Sequence, residues 1–253
     1  MNSPKFILLN RRQWQENKKA YRTGLLGIAG ILSFLFFIAW HWKDSFGGDV
    51  HRGIFLIGLF AGGCIFAASL LKDISHKAKS MWLIGIPASA GEKLFIAIFY
   101  GIVLYLLAYL ILFYTTEGFV LWLTKTNSMP IEHMDLFKNG FYNFLFSFIN
   151  FQLLIFMGSL SFRRGALIKT ILLMILFFSL SSTLNNQLLG LMTGEKNING
   201  GGIYDYFQFV HEAENVYVYL PENAQLITNI FFHYLLPCIL YYIAYLKFRE
   251  TEI

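Results

Sequence analysis

Few side chains in this 253-residue sequence have the type and spacing to do chemistry, and those few are scattered. His41, Asp44, Asp49 and His51 lie close together and offer the donor types of a metal site. Their spacing matches no closed ligand set, so no metal is assigned to them. His76, His133 and His211 stand alone. The chain carries no G-x-x-x-x-G-K-[ST] phosphate loop. Gly91-Glu92-Lys93 and Gly194-Glu195-Lys196 lack both the preceding glycine and the following hydroxyl that such a loop uses to hold phosphates and Mg2+. Cys64 and Cys238 sit in separate apolar stretches and read as small buried side chains rather than a disulfide. Catalytic, cofactor-binding and metal-ligating residues are accordingly none.

The elements around these residues are those of a membrane protein. The chain is 56% hydrophobic and 18% aromatic, with only 14% charged residues, against about a quarter in a soluble domain. Six apolar runs, at 24–42, 53–71, 94–114, 141–162, 165–184 and 226–246, approach or exceed the ~20 residues a helix needs to cross a bilayer core. Backbone groups left unpaired in lipid are costly, so runs of this kind are helical. The expected fold class is all-α, a polytopic membrane protein of six transmembrane helices in one domain. None of the six runs carries an Asp or Glu at its centre, which argues against a proton- or sodium-driven carrier, since those place buried charge on the coupling path. An intramembrane enzyme would need His, Asp or Glu clustered between spans, and no such cluster is present.

The net charge of +5 is a topology signal. With the N-terminus placed in the cytoplasm, the outer segments hold only Lys43, Arg52, Lys125, Lys138 and Lys196 of the twenty Lys and Arg residues. The other fifteen face the cytoplasm, which sets both termini inside and removes the support for a nucleic-acid partner. Residues 1–23 repeat Ile7, Trp14 and Tyr21 every seven positions among basic side chains, the pattern of a cytoplasmic amphipathic helix at the membrane surface. The outer segment 185–225 is too aromatic to be disordered and reads as a folded cap.

The cytoplasmic loop 72–93 is the most informative stretch. Ile74, Ala78, Met81 and Trp82 share one face of a short helix that Gly85-Ile86-Pro87 ends. Ser89 and Glu92 then form a capping-box pattern directly before the third span. Inside the spans, Asn150 and Gln152 lie mid-way along the fourth and His233 about a third of the way into the sixth. Their alternatives are hydrogen bonds between helices or contact with a transported substrate. Pro237 is expected to kink the sixth span. Gly58 and Gly62, and Gly24, Gly27 and Gly30, permit close helix approach, either at a subunit interface or within one chain.

This order of elements, with Pro87-Ala88-Ser89 followed by Glu92-Lys93, resembles the membrane subunit of ABC transporters of the ABC-2 permease type, particularly the small bacterial half-permeases. The resemblance implies a permease subunit of the bacterial cytoplasmic (inner) membrane, acting as an exporter by alternating access. It implies that Ile74, Ala78, Met81 and Trp82 contact a separate cytoplasmic ATPase subunit. Pro87, Ser89, Glu92 and Lys93 would shape the start of the third span. ATP and Mg2+ would be bound by that ATPase, not by this chain, and a second permease copy or a homologous permease would complete the pathway among membrane lipids. The alternative function is a non-transporting membrane scaffold or assembly subunit of a larger envelope complex.

Overall fold

A computed structural model describes residues 3–41, 48–70, 88–124, 141–162, 165–193, 198–200, 206–211, 214–219 and 221–252. Its described residues include six helices long and apolar enough to cross a membrane, the mark of a multi-pass membrane protein. They are α1 (Ser3–His41), α2 (Gly48–Leu70), α3 (residues 90–124), α4 (Phe141–Ser161), α5 (Ala166–Thr193) and α6 (residues 222–252). Two of them are interrupted by π-helical turns. In α3, Phe99–Leu104 is π-helical between Ala90–Ile98 and Tyr105–Thr124. In α6, Phe231–Leu235 is π-helical between Glu222–Ile230 and Leu236–Glu252. The second of these turns stands just before Pro237, which has no N–H to continue the α-helical ladder. The perturbation expected at Pro237 thus takes the form of a π turn.

Contacts gather the chain into two compact units: Met1–Leu167 with Leu240–Ile253, and Ile168–Ile239. In the first, α1 departs from the expected plan. It runs without interruption for 39 residues, so the described part of the segment 1–23 is continuous with the first span rather than a separate helix. At 1.5 Å per residue this is about 58 Å, roughly twice a bilayer's hydrocarbon core. The early part of α1 packs on neighbouring helices: Tyr21 is buried, with its ring 5.4 Å from Phe66 of α2 and 5.7 Å from Tyr100 of α3. Tyr100 Oη donates to the Asn10 side chain, and Gln13 donates to Tyr21 Oη at 3.0 Å. The sevenfold row Ile7, Trp14, Tyr21 therefore has its inner end against protein, with Trp14 and Tyr21 5.9 Å apart and Ile7 exposed.

The core of this unit is aromatic. Phe36, Phe55, Tyr109, Phe113, Phe148 and Phe156 are all fully buried. In lipid there is little hydrophobic gain from bringing helices together, so close packing and interhelical hydrogen bonds must hold such a bundle. The Arg52 guanidinium lies 4.7 Å from the centre of the Phe144 ring, joining α2 to α4. Phe60 adds edge-to-face contacts with Phe148 and Phe151 of α4. After α4, Gly165 takes φ +64°, a left-handed turn conformation that costs a glycine nothing.

The second unit holds most of α5, whose Leu172, Leu173, Leu176, Phe177 and Leu180 are exposed in the single chain, as suits a lipid-facing helix. It also contains a three-stranded antiparallel sheet, β1 (Ile198–Gly200), β2 (Tyr206–His211) and β3 (Glu214–Tyr219), in the order β1-β2-β3. Strands β2 and β3 pair from Tyr206 opposite Tyr219 to His211 opposite Glu214. The Tyr, Phe and Val content of these segments favours a pleated arrangement. The spanning elements are helical as expected; the segment read as an outer cap contributes strands, which the all-α expectation did not include.

Candidate functional site

The chemistry-bearing side chains converge on the seam between α2 and α3. Two hydrogen-bonding tyrosines, four residues apart, face two glycines with the same spacing. Tyr109 Oη donates to the Phe55 carbonyl at 2.8 Å, beside Gly58. Tyr105 Oη lies 3.2 Å from the Gly58 carbonyl and 3.3 Å from that of Leu59, beside Gly62. Any Cβ on Gly58 would collide with the Tyr109 hydroxyl, and one on Gly62 would stand 2.5 Å from that of Tyr105. The missing side chains let the phenols reach backbone oxygen. Gly58 and Gly62 thus serve packing within this chain, one of the two roles open from the sequence. Phe55 and Phe113 continue the seam, with ring centres 5.0 Å apart.

Further along the same seam, Nδ1 of His51 lies 2.8 Å from Oε1 of Glu117. Both side chains are only 1% exposed, and the Phe36 ring meets the imidazole edge-on at 5.4 Å. This pair places a buried acid on the same helix as the third apolar run, three residues beyond its expected end at 114. Glu117 belongs to the helical segment Ala90–Val120, long enough and apolar enough to cross the membrane, and not to an outer loop beginning at 115. It also gives His51 a carboxylate partner 66 residues away in sequence. Among the described residues no group of three or more His, Cys, Asp or Glu is placed to hold a metal. Cys64 is buried and Cys238 exposed, both as free thiols.

On the other flank of α2, Gln152 of α4 is fully buried and presses on Gly63, where a Cβ would overlap its amide nitrogen. Among the described residues, neither its amide nitrogen nor its oxygen has a hydrogen-bond partner. An unsatisfied buried amide costs about 1–3 kcal/mol, so this side chain carries binding capacity that the closed seam leaves unused. Asn150 is half-buried on the same helix. His233 lies in the second unit, on the π turn of α6, where its exposed ring donates through Nδ1 to the Asn229 carbonyl at 2.8 Å. The three polar residues singled out in the spans are therefore differently engaged.

The start of α3 has the capping box that its sequence pattern implies. Ser89 Oγ accepts from the Glu92 N–H at 3.3 Å, and Glu92 Oε2 accepts from the Ser89 N–H at 3.1 Å. The Lys93 N–H bonds back to the Ser89 carbonyl at 3.1 Å. Ile74, Ala78, Met81, Trp82 and Pro87 lie outside the described residues. Substituting Ser89→Ala should cost about 1 kcal/mol in thermal unfolding of the purified chain, whereas Ser89→Asp, which keeps an acceptor, should cost much less.

The seam has two partners whose signal was present in the sequence: Gly58 and Gly62 repeat at the interval of Tyr105 and Tyr109. The His51–Glu117 pair had no comparable local signal. Comparison with known proteins adds no relative: no family model, no curated protein and no solved structure matches the chain.

Proposed function

We propose that the chain is the membrane subunit of an ATP-driven transporter of the ABC-2 permease type, an exporter in the bacterial cytoplasmic membrane with both termini in the cytoplasm. The observation that carries the reading is the capping box at Ser89 and Glu92, where the loop 72–93 passes into the first turn of α3. A capped helix start does not fray, so a force applied to the loop reaches α3 without being lost in the first turn. The seam supports the same reading. Tyr105, Tyr109 and the His51–Glu117 pair tie the second part of α3 to the first part of α2, which favours movement of the two helices flanking the loop as one body.

In this mechanism a separate ATPase binds the face formed by Ile74, Ala78, Met81 and Trp82. ATP and Mg2+ act there, in the partner. Closure of the ATPase pushes the α2–α3 pair as a rigid body. When α2 parts from α4, the Gln152 amide gains access to a substrate polar group, with Asn150 on the same helix as a further polar contact. A second permease copy, or a homologous permease, completes the pathway.

Trp82→Asp should abolish association with the ATPase while leaving membrane insertion intact, because a desolvated aromatic anchor is replaced by a charge. The measurement is co-purification with any phosphate-loop ATPase encoded beside this gene. Recovery of the normal complex with the substituted chain, or absence of any such ATPase, rejects the reading.

A further inference from the structure

A cleft of about 370 Å3 runs between α1 and α2, walled by Ala20, Gly24 and Gly27 on one side and Gly58, Ala61 and Gly62 on the other. It extends from Ala20 to Leu32 along α1 and from Ile57 to Ser69 along α2. Twelve residues of helix are about 18 Å, close to the ~15 Å that one leaflet contributes to the hydrocarbon core.

The glycines of the two walls are used differently. Gly58 and Gly62 are filled from behind by the tyrosine hydroxyls of α3. Gly24 and Gly27 are exposed, and a Cβ on either would have no atom within 4 Å. The α1 wall is therefore an apolar slot open to the surroundings. Basic side chains lie beside its Ala20 end, outside the lining itself. Lys19 and Thr23 immediately precede the wall residues Ala20 and Gly24, and Lys18 and Arg22 follow around the helix, all exposed. Among the described residues Arg12 is paired with Glu16 at 2.6 Å, whereas Lys18, Lys19 and Arg22 are in no ion pair.

We propose that this cleft seats an acyl chain of an anionic phospholipid whose phosphate rests on Lys19 and Arg22. Basic side chains beside a span attract anionic headgroups. The same charges oppose a second copy of this chain as the occupant. Every copy crosses the membrane in the same direction, so a second α1 would bring its own Lys18, Lys19 and Arg22 to the same depth, where like charges meet. A phosphate at that depth neutralises them.

The test is native mass spectrometry of the purified full chain exchanged into detergent with phosphatidylglycerol or phosphatidylcholine of identical acyl chains. The wild-type chain should retain one phosphatidylglycerol, with a preference of about tenfold or more over phosphatidylcholine. Gly24→Leu with Gly27→Leu fills the open slot and should lose the retained lipid while melting normally in lipid-free detergent. Lys19→Gln with Arg22→Gln should still bind lipid but no longer distinguish the two headgroups; this arm decides alone if the leucine chain does not fold. Equal binding of both lipids by the wild type overturns the proposal, as does undiminished phosphatidylglycerol retention by a folded leucine chain. A dimer that dissociates on filling the slot, with lipid retention unchanged, assigns the cleft to a second copy instead.

Discussion

Glu117→Ala should cost about 3–5 kcal/mol of stability, because it removes the carboxylate that meets His51 at 2.8 Å in a site with almost no access to solvent. His51→Ala should cost a similar amount by removing the imidazole that meets the buried carboxylate. Replacing both, as His51→Leu with Glu117→Leu, should recover most of the loss. A buried pair gives back in mutual attraction little more than its desolvation cost, so an apolar pair of similar volume serves the fold nearly as well. Phe36 and Phe113, 5.6 Å apart beside the pair, already provide an apolar lining for the leucines. A double-mutant cycle, measured by reversible unfolding in mixed micelles, reads the coupling directly. Single substitutions that each cost under about 0.5 kcal/mol would show that the two side chains do not act as a unit.

Gly63→Leu is expected to be the most damaging glycine substitution in α2, at about 3 kcal/mol. Its first added carbon would overlap the Gln152 amide and come within 2.9 Å of the Phe148 ring. Neither can retreat easily, since both side chains are fully buried. Gly30 provides the contrast. Nothing lies within 4 Å of a Cβ there, so Gly30→Ala should stabilise α1 by about 0.5–1 kcal/mol through helix propensity alone. Thermal unfolding of the two variants in one detergent would compare them. Equal effects would mean that the α2–α4 contact is looser than the Gly63–Gln152 approach implies. A smaller residue at 152 should relieve the Gly63→Leu defect in part, which identifies the clash rather than the helix as its source.

The six helices were legible because crossing a bilayer imposes a long apolar run, and such runs survive uncertainty at their ends. The ends themselves were not. Glu117 is charged, so a hydropathy reading stops the third span before it, although α3 continues to Thr124. Glu117 meets His51, and a partner 66 residues away leaves no mark on local periodicity. The polar segment before the first span had the heptad spacing of a surface helix. Spacing alone could not show that Tyr21 docks on Phe66 and Tyr100. The Ser89–Glu92 cap was readable in full because all its parts lie within one turn. The aromatic richness of 206–219 was visible, but its resolution into β2 and β3 depends on pairing between them.

The π turn at Phe99–Leu104 has a consequence for α3 as a measuring scale. Each such turn inserts the equivalent of one extra residue into an α-helix, which advances everything beyond it by about 100°. Tyr100 and Tyr105 are five residues apart, yet Tyr100 meets Tyr21 and Tyr105 meets Phe66, within one continuous aromatic row. Gly101, inside the turn, receives the Phe156 ring from α4. The helix thus carries two phases joined at residue 100. Both parts pack on α1 as well as on α2, and deleting a single residue in the turn would set those two phases against each other.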